Sequence, residues 1–117
     1  MDLSLEFLGA AENVTGSRHL LNFNDHTILV DCGLYQEREL RNRNWEDFGV
    51  DPKQVTAMAL TDAHLDHWGL IPRFARQGFA GPIYCTQATA EIARIVLLDS
   101  GSLQEEDAEY KRRRHER

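Results

Sequence analysis

The sequence predicts an α/β fold in which a mixed sheet is covered by helices on at least one side. Strand patterns alone fill the first quarter of the chain, whereas short apolar runs alternate with helical patterns from residue 55 onward. Hydrophobic residues make up 42% of the chain and charged residues 27%. This is ordinary usage for a globular protein and excludes a disordered or fibrous chain. A chain of 117 residues is expected to form one domain with a single core.

Three strands are predicted before residue 31. Residues 3–7 alternate between apolar and polar side chains, which is the pattern of a half-buried strand, and Gly9 ends that pattern. Two apolar runs follow at 20–23 and 27–30. The pair Asn24-Asp25 lies between them and favours a turn. The two runs are therefore predicted to form a hairpin.

The middle of the chain is predicted to change from loops to alternating strand and helix. Residues 34–45 are polar and predict a loop or a short surface helix, and Asp51-Pro52 predicts the cap and first residue of one helical turn. Residues 55–61 have the length and β-branched ends of a buried strand. The apolar positions between Gly69 and Gly78, with a proline near the start, predict a short helix.

The C-terminal part is predicted to contain one more strand and a helix. Residues 82–85 predict the strand, and Thr86 can cap a helix with apolar residues near one face, at Ile92, Ile95, Val96 and Leu103. In residues 104–117 acidic side chains precede basic ones, which suits the helix macrodipole. Asp107 with Lys111 and Glu109 with Arg113 have i,i+4 spacing. We expect a solvated helix end here in preference to an RNA-contacting arm.

Charge and cysteine usage bound the environment of the protein. Lys and Arg total 13 and Asp and Glu total 19, which gives a net charge of −6 and disfavours charge-driven adhesion to nucleic acid or anionic lipid. Cys32 and Cys85 lie at the ends of apolar runs and are predicted to be buried free thiols. The sequence shows no secretory signal and no run long enough to span a bilayer. We therefore expect a cytoplasmic protein without a membrane partner.

A polar cluster after the predicted strand at 55–61 carries the candidate chemistry. Asp62, His64, Asp66 and His67 are four potential metal ligands within six residues. In extended backbone, residues two apart project to the same side, so Asp62 and His64 can hold one ion together. Asp66 and His67 are adjacent and are expected to face a second ion. The pattern predicts two neighbouring metal positions.

These residues supply too few ligands for two complete sites. A catalytic zinc generally takes three protein ligands and water, whereas each pair here supplies two. The remaining histidines, His19, His26 and His115, lie in no comparable cluster and are expected to be surface or packing residues. We expect the missing ligands to come from sequence beyond Arg117 or from another chain, unless the site is incomplete.

Four stretches of this sequence resemble a known family. The run from Leu60 to Pro72 resembles the H-x-H-x-D-H signature region of the metallo-β-lactamase fold. The flanking stretches 9–17, 28–36 and 81–86 resemble, more narrowly, the β-CASP branch of RNA-processing nucleases. Together they span almost the whole chain in order, which is more specific than a single hexapeptide.

The resemblance implies a partial metallo-β-lactamase αββα sandwich. Family members are several times longer, so residues 1–117 are expected to be the N-terminal part of the hydrolase domain, without the later metal ligands and the β-CASP domain. Carried over by position, His64 matches a ligand of the first metal, and Asp66 and His67 match ligands of the second. Asp31 matches the acidic residue that supports the metal loop from behind the ligands.

Two positions depart from the family pattern. The family has histidine where this chain has Asp62. A carboxylate is shorter, harder and negatively charged, so the first site is expected to bind zinc more weakly and to tolerate manganese or magnesium better. Position 68 is usually small or medium-sized in the family, whereas Trp68 places a large ring beside the metal loop. That ring could shield the pocket, fill space left by missing domains or mark an alteration.

The function that the resemblance implies is zinc-dependent hydrolysis of RNA phosphodiesters with two metal ions. Asp66 would orient or deprotonate the attacking water, and the β-CASP domain would grip the RNA. Two alternatives stay open. One is another hydrolase of the same fold, acting on thioesters or lactones. The other is a metal-poor, inactive module that covers its exposed sheet as a homodimer or by association with the missing half.

Overall fold

The computed structural model describes residues 3–115, apart from the side chains of residues 97, 100–105, 107, 108, 111, 114 and 115. Its framework is one five-stranded sheet with strand order β1-β2-β3-β4-β5. The strands are β1 Leu3–Gly9, β2 Arg18–Phe23, β3 His26–Val30, β4 Ala57–Ala59 and β5 Ile83–Tyr84. The helices are α1 Leu65–Trp68, α2 Ile71–Arg76 and α3 Gln87–His115, with 3-10 helices at Arg38–Trp45 and Pro52–Gln54.

The sheet is mixed, as the sequence predicted. β1, β2 and β3 pair antiparallel, whereas β3–β4 and β4–β5 pair parallel. The predicted hairpin joins β2 and β3 through Asn24, whose φ of 52° lies in the left-handed region that asparagine tolerates. The parallel pairs bring the carboxyl ends of β3, β4 and β5 to the same end of the sheet.

The core lies between one face of the sheet and α2. Leu29 from β3, Met58 from β4 and Phe74 from α2 are each fully buried. Phe74 packs edge-on against Phe48, with ring centroids 4.8 Å apart, an arrangement that aromatic pairs favour. The predicted cap is present before the 3-10 helix at Pro52–Gln54, where the Asp51 carboxylate accepts from the Lys53 N–H at 3.0 Å. α2 and Phe48 therefore cover one face of the sheet.

The prediction of a half-buried β1 is wrong. Leu3, Leu5 and Phe7 are 63%, 52% and 66% exposed. They project from the sheet face opposite the core, and β1 is an edge strand that pairs with β2 alone. The alternating pattern predicted the strand correctly, because alternation depends on backbone geometry. It could not predict what packs on the apolar face.

Several elements differ in length from their predictions. β4 and β5 span three and two residues, and α2 ends at Arg76. The helix after Thr86 is present, and the Thr86 Oγ1 accepts from the Thr89 N–H at 3.2 Å. On its predicted apolar face, Ile92 is 49% and Ile95 68% exposed, whereas Val96 is half-buried.

The C-terminal residues up to His115 continue α3. The predicted pair of Glu109 and Arg113 is present at 2.7 Å. The pair of Asp107 and Lys111, and Leu103 on the apolar face, fall outside the described side chains.

The two cysteines differ in environment. Cys32 is buried, and burial raises the pKa of its thiol to about 12, so this thiol stays protonated and unreactive. Cys85 is exposed, which corrects the prediction of a buried thiol there. It follows the edge strand β5, whose two residues are themselves exposed. Among residues 3–115, no helix combines the length and apolar character needed to cross a membrane.

Candidate metal centre

The candidate metal ligands lie where the parallel strands β3 and β4 end. Asp31 follows β3 directly, and its N–H donates to the carbonyl of Ala59 in β4 at 2.8 Å. The polar cluster begins three residues after Ala59, at Asp62. Because adjacent parallel strands end side by side, two segments thirty positions apart in sequence meet at this edge.

Asp31 is the buried anchor of the site. Its side chain is 2% exposed. One carboxylate oxygen accepts from the Thr61 N–H at 2.9 Å. The other accepts from the hydroxyls of Thr61 at 2.7 Å and Ser17 at 3.0 Å, and lies 2.8 Å from His67 Nδ1. A buried carboxylate with this many donors is held in one orientation.

The contact with Asp31 fixes the orientation of His67. A carboxylate accepts hydrogen bonds, so Nδ1 carries the proton and donates it to Asp31, and Nε2 is left to face outward. Burial acts to lower the pKa of His67. The hydrogen bond that His67 donates to Asp31, together with the negative charges of Asp31, Asp66 and Asp62, outweighs the effect of burial and raises the pKa of His67 above its usual value.

Asp66 and His67 fit a shared metal ion. The Asp66 Oδ2 lies 3.4 Å from the His67 Nε2. Two ligand atoms on one tetrahedral zinc, each roughly 2.0–2.2 Å from the ion, are separated by roughly 3.3–3.6 Å. The buried carboxylate behind the outward-facing imidazole is also the arrangement typical of metal-binding histidines. The donor types, their separation and the support behind them all suit zinc.

Asp62 and His64 form a different kind of pair. The Asp62 Oδ1 accepts from the His64 N–H at 3.0 Å and lies 2.5 Å from the His64 Nδ1. The backbone and side-chain hydrogen bonds from His64 lower the pKa of Asp62. Both side chains are open to solvent, at 42% and 80% exposure. The two side chains lie together and are hydrogen-bonded to each other.

The described residues bring the four predicted ligands together as two pairs. Nowhere in the part of the chain that the structure describes do three His, Cys, Asp or Glu side chains converge to hold an ion. Among the other histidines, the His19 ring packs edge-on against Phe7, His26 is exposed, and the side chain of His115 is outside the described set.

The backbone of the 31–34 segment holds the metal loop in place. The Cys32 N–H donates to the carbonyl of His67 at 2.8 Å, and the Leu34 N–H donates to that of Leu65 at 3.1 Å. Gly33 lies directly under Asp66, since a Cβ at this position would come within 1.9 Å of the Asp66 carbonyl oxygen. A side chain at position 33 would therefore push the loop away.

Trp68 belongs to the core under the loop. Its side chain is 2% exposed, and its Nε1 donates to the carbonyl of Ala63 at 2.7 Å. The indole thus fills space and also ties the start of the loop to α1. The sequence had predicted a large ring beside the loop, and the structure shows how that ring is used.

Sequence reasoning missed the residues that surround Asp31. Thr61 and Ser17 both donate to its carboxylate. Thr61 had a signal, since it directly precedes the cluster and a hydroxyl there can reach the previous strand end. The contact of Ser17 depends on the path of the 10–16 loop, which periodicity does not predict.

The sequence matches a known family. Residues 18–115 match the family described as the Metallo-beta-lactamase superfamily. This chain belongs to that superfamily. Superfamily members typically bind metal ions, often zinc, in agreement with the fit of Asp66 and His67. The predicted α/β class is confirmed.

Individual relatives agree with the narrower resemblance to RNA-processing nucleases. The chain is 48% identical over 98 residues to Ribonuclease TTHA0252 of Thermus thermophilus, covering 84% of this chain and 22% of that protein. It is 34% identical over 104 residues to Transcription termination factor FttA of Cenarchaeum symbiosum, covering 85% and 16%. The chain thus spans about a fifth of the length of these superfamily relatives.

Solved structures of the superfamily share the fold. A metallo-beta-lactamase with a HARLDQ motif from Cronobacter sakazakii superposes with a TM-score of 0.52 at 27% identity, covering 73% of this chain and 30% of that one. The match covers only a portion of the Cronobacter protein. The architecture described above is therefore part of the superfamily fold.

Proposed function

We propose that this chain forms part of a metal-dependent RNA phosphodiester hydrolase of the β-CASP type. The observation that carries the proposal is the Asp31–His67–Asp66 arrangement in a chain 48% identical to a protein named as a ribonuclease. The arrangement supports metal binding, and the similarity to the ribonuclease along most of the chain favours a nuclease over other hydrolases of this fold.

Zinc is the proposed cofactor, held at one position by Asp66 and His67 and at the other by Asp62 and His64. When bound, zinc supplies the Lewis acidity that makes hydroxide available near neutral pH and offsets charge on the phosphodiester. Asp31 keeps the proton on the His67 Nδ1, so that the Nε2 lone pair faces the ligand side. The second Asp66 carboxylate oxygen is available to orient the attacking water.

The two positions are proposed to differ in their affinity for zinc. Asp66 and His67 are preset, because Asp31 and the backbone of the 31–34 segment fix them. Asp62 and His64 face each other through Oδ1 and Nδ1, so they must rearrange before both can hold one ion through these atoms. The position formed by Asp62 and His64 is therefore proposed to bind zinc weakly in this chain. The purified chain should bind fewer than two equivalents of zinc and cleave RNA slowly.

A comparison of two histidine variants tests the proposal. Zinc stoichiometry and cleavage of a fluorogenic RNA are measured for the wild-type chain, for His67→Ala and for the control His26→Ala. His26 is exposed and is the first residue of β3. We expect His67→Ala to lose zinc and the residual cleavage, and His26→Ala to keep both. Equal cleavage by His67→Ala, or faster turnover of a thioester or lactone than of RNA, would count against the nuclease.

Self-association is a second proposed property of the isolated chain. The exposed row of Leu3, Leu5 and Phe7 lies on an edge strand, and such rows favour pairing with another copy of the chain. Light scattering at rising concentration is expected to show a dimer that Leu5→Glu dissociates. A wild-type monomer throughout the range would remove this proposal.

A further inference from the structure

Ser17 connects the loop between β1 and β2 to both sides of the candidate metal pair. Its N–H donates to the carbonyl of Asp66 at 3.1 Å. Its hydroxyl donates to Asp31 at 3.0 Å, and its carbonyl accepts from the Gly33 N–H at 2.9 Å. Ser17 is itself buried. The position of the loop that carries Ser17 therefore affects the Asp66 backbone and the carboxylate that orients His67.

Glu37 holds this loop just before Ser17. One oxygen of its carboxylate accepts from the N–H groups of Val14 at 3.0 Å and Thr15 at 2.8 Å. The other oxygen accepts from the Thr15 hydroxyl. That hydroxyl also accepts from the Gln36 N–H at 2.8 Å. These hydrogen bonds, the Thr15 hydroxyl first, lower the pKa of Glu37 to about 2, so its carboxylate stays ionised.

The segment that carries Glu37 contacts the loop and the metal pair at alternate positions. Gly33 lies under the Asp66 carbonyl, and the ring of Tyr35 lies under Gly16, where an added Cβ would come within 2.6 Å of the ring. Glu37 follows with its bonds to Thr15. Residues two apart in extended backbone face the same side. One short segment thus supports the loop and the ligands together.

We propose that Glu37 is a positioning residue for the Asp66–His67 metal pair. It holds Val14 and Thr15 so that Ser17 keeps its contacts with Asp66 and Asp31. This inference rests on the proposed metal-binding function and adds a residue that touches neither ligand. The path from Glu37 to the ligands is continuous: Glu37 to Thr15 by hydrogen bonds, Thr15 to Ser17 along the chain, and Ser17 to Asp66 by its N–H.

A carboxylate at position 37 gives its three partners a charged acceptor. Three donors converge on the side chain, two backbone N–H groups and one hydroxyl. A glutamine could keep the two N–H groups on its single oxygen and donate to the rotated Thr15 hydroxyl, but every bond would then be between neutral groups and weaker than a bond to a carboxylate. Glu37→Gln therefore keeps the size and weakens the hold on the loop. The loop is then expected to open more often while the core of the sheet stays closed.

The test measures local opening and metal affinity separately in the purified chain. Hydrogen exchange by NMR follows the Ser17 amide and, as a core reference, the Met58 amide in β4. Cobalt(II) is the metal probe, read by its absorption spectrum. The variants are Glu37→Gln and Thr15→Val, with Thr15→Ser as the conservative variant that keeps the hydroxyl. Glu39→Gln is the control, because it removes the same charge from an exposed residue of the adjacent 3-10 helix.

We expect Glu37→Gln and Thr15→Val to speed exchange at Ser17 and to weaken cobalt binding by about tenfold, with Met58 exchange unchanged. Thr15→Ser and Glu39→Gln should match the wild type. Unchanged exchange at Ser17, equal acceleration at Ser17 and Met58, or the same effects from Glu39→Gln would overturn the inference. A wild-type chain that binds no cobalt would instead remove the proposed metal function, and Ser17 exchange would still decide the role of Glu37 in the loop.

Discussion

Replacing Asp31 with asparagine keeps the shape of the side chain beside His67 but changes the group that orients the His67 imidazole. One oxygen of the Asp31 carboxylate, Oδ2, accepts from the hydroxyls of Ser17 and Thr61 and from the Nδ1–H of His67. An amide at this place can still satisfy the two hydroxyls, since each can rotate to accept a hydrogen bond. The His67 Nδ1–H has no such freedom. Asp31→Asn is therefore expected to move the imidazole proton to Nε2, the atom that faces Asp66.

The expected cost follows from the bonds that are lost. A hydrogen bond to a charged group contributes about 1.5–3 kcal/mol, and one such bond, at 2.8 Å, is removed. We expect Asp31→Asn to lower the free energy of unfolding by about 2 kcal/mol in metal-free urea titrations. Loss of the partner behind a metal-binding histidine is expected to weaken zinc binding by about 10–100-fold.

The same substitution predicts a pH dependence. Because the pKa of His67 is raised in the folded protein, the protonated form stabilises the fold at pH values below its usual pKa of about 6.5. This contribution is lost as the pH rises through the raised value. Asp31→Asn should lower the pKa of His67 in an NMR titration and remove that part of the stability. Asp25→Asn, at an exposed turn residue, is the matched control.

The result that refutes this reasoning is specific. If Asp31→Asn binds zinc as tightly as the wild type by chelator competition, His67 does not depend on Asp31 for its orientation. An unchanged pKa of His67 would lead to the same conclusion without any metal present.

The remaining predictions concern the loop and its support. Asp62→His should raise zinc affinity by about tenfold, or ~1.4 kcal/mol, because two imidazole ligands replace the hydrogen-bonded pair of Asp62 and His64. Asp25→His is the control, and a zinc titration of Asp62→His that matches it would contradict this prediction. Gly33→Ala should cost about 1–3 kcal/mol of stability, since its Cβ would lie 1.9 Å from a carbonyl oxygen; wild-type urea unfolding would be incompatible with that contact. Trp68→Phe should cost about 1–3 kcal/mol through the unpaired Ala63 carbonyl, and a wild-type unfolding midpoint would argue against the bond.

The sequence predicted those parts of the fold that depend on local geometry. The hairpin at Asn24 and the cap at Asp51 follow from turn chemistry within a few residues. The strand β1 follows from alternation. The exposure of Leu3 and of Cys85 does not follow, because it depends on which elements pack against the two edges of the sheet.

The candidate site was predictable in its composition and less so in its geometry. The spacing of the acidic and imidazole side chains was enough to single out the cluster. The curl of residues 65–68 into α1, which carries both Asp66 and His67, was not predicted. The contact between Asp31 and His67 joins residues far apart in the chain, and only the family resemblance pointed to it.

Anomalous X-ray scattering at the zinc edge, from crystals of the zinc-loaded chain, tests the central claim most directly. The claim predicts an anomalous peak for a zinc ion coordinated by the Nε2 of His67 and the carboxylate of Asp66. The His67 Nδ1 should still be hydrogen-bonded to Asp31. A peak on other residues alone, or zinc-loaded crystals in which Asp66 and His67 hold no ion, would contradict it.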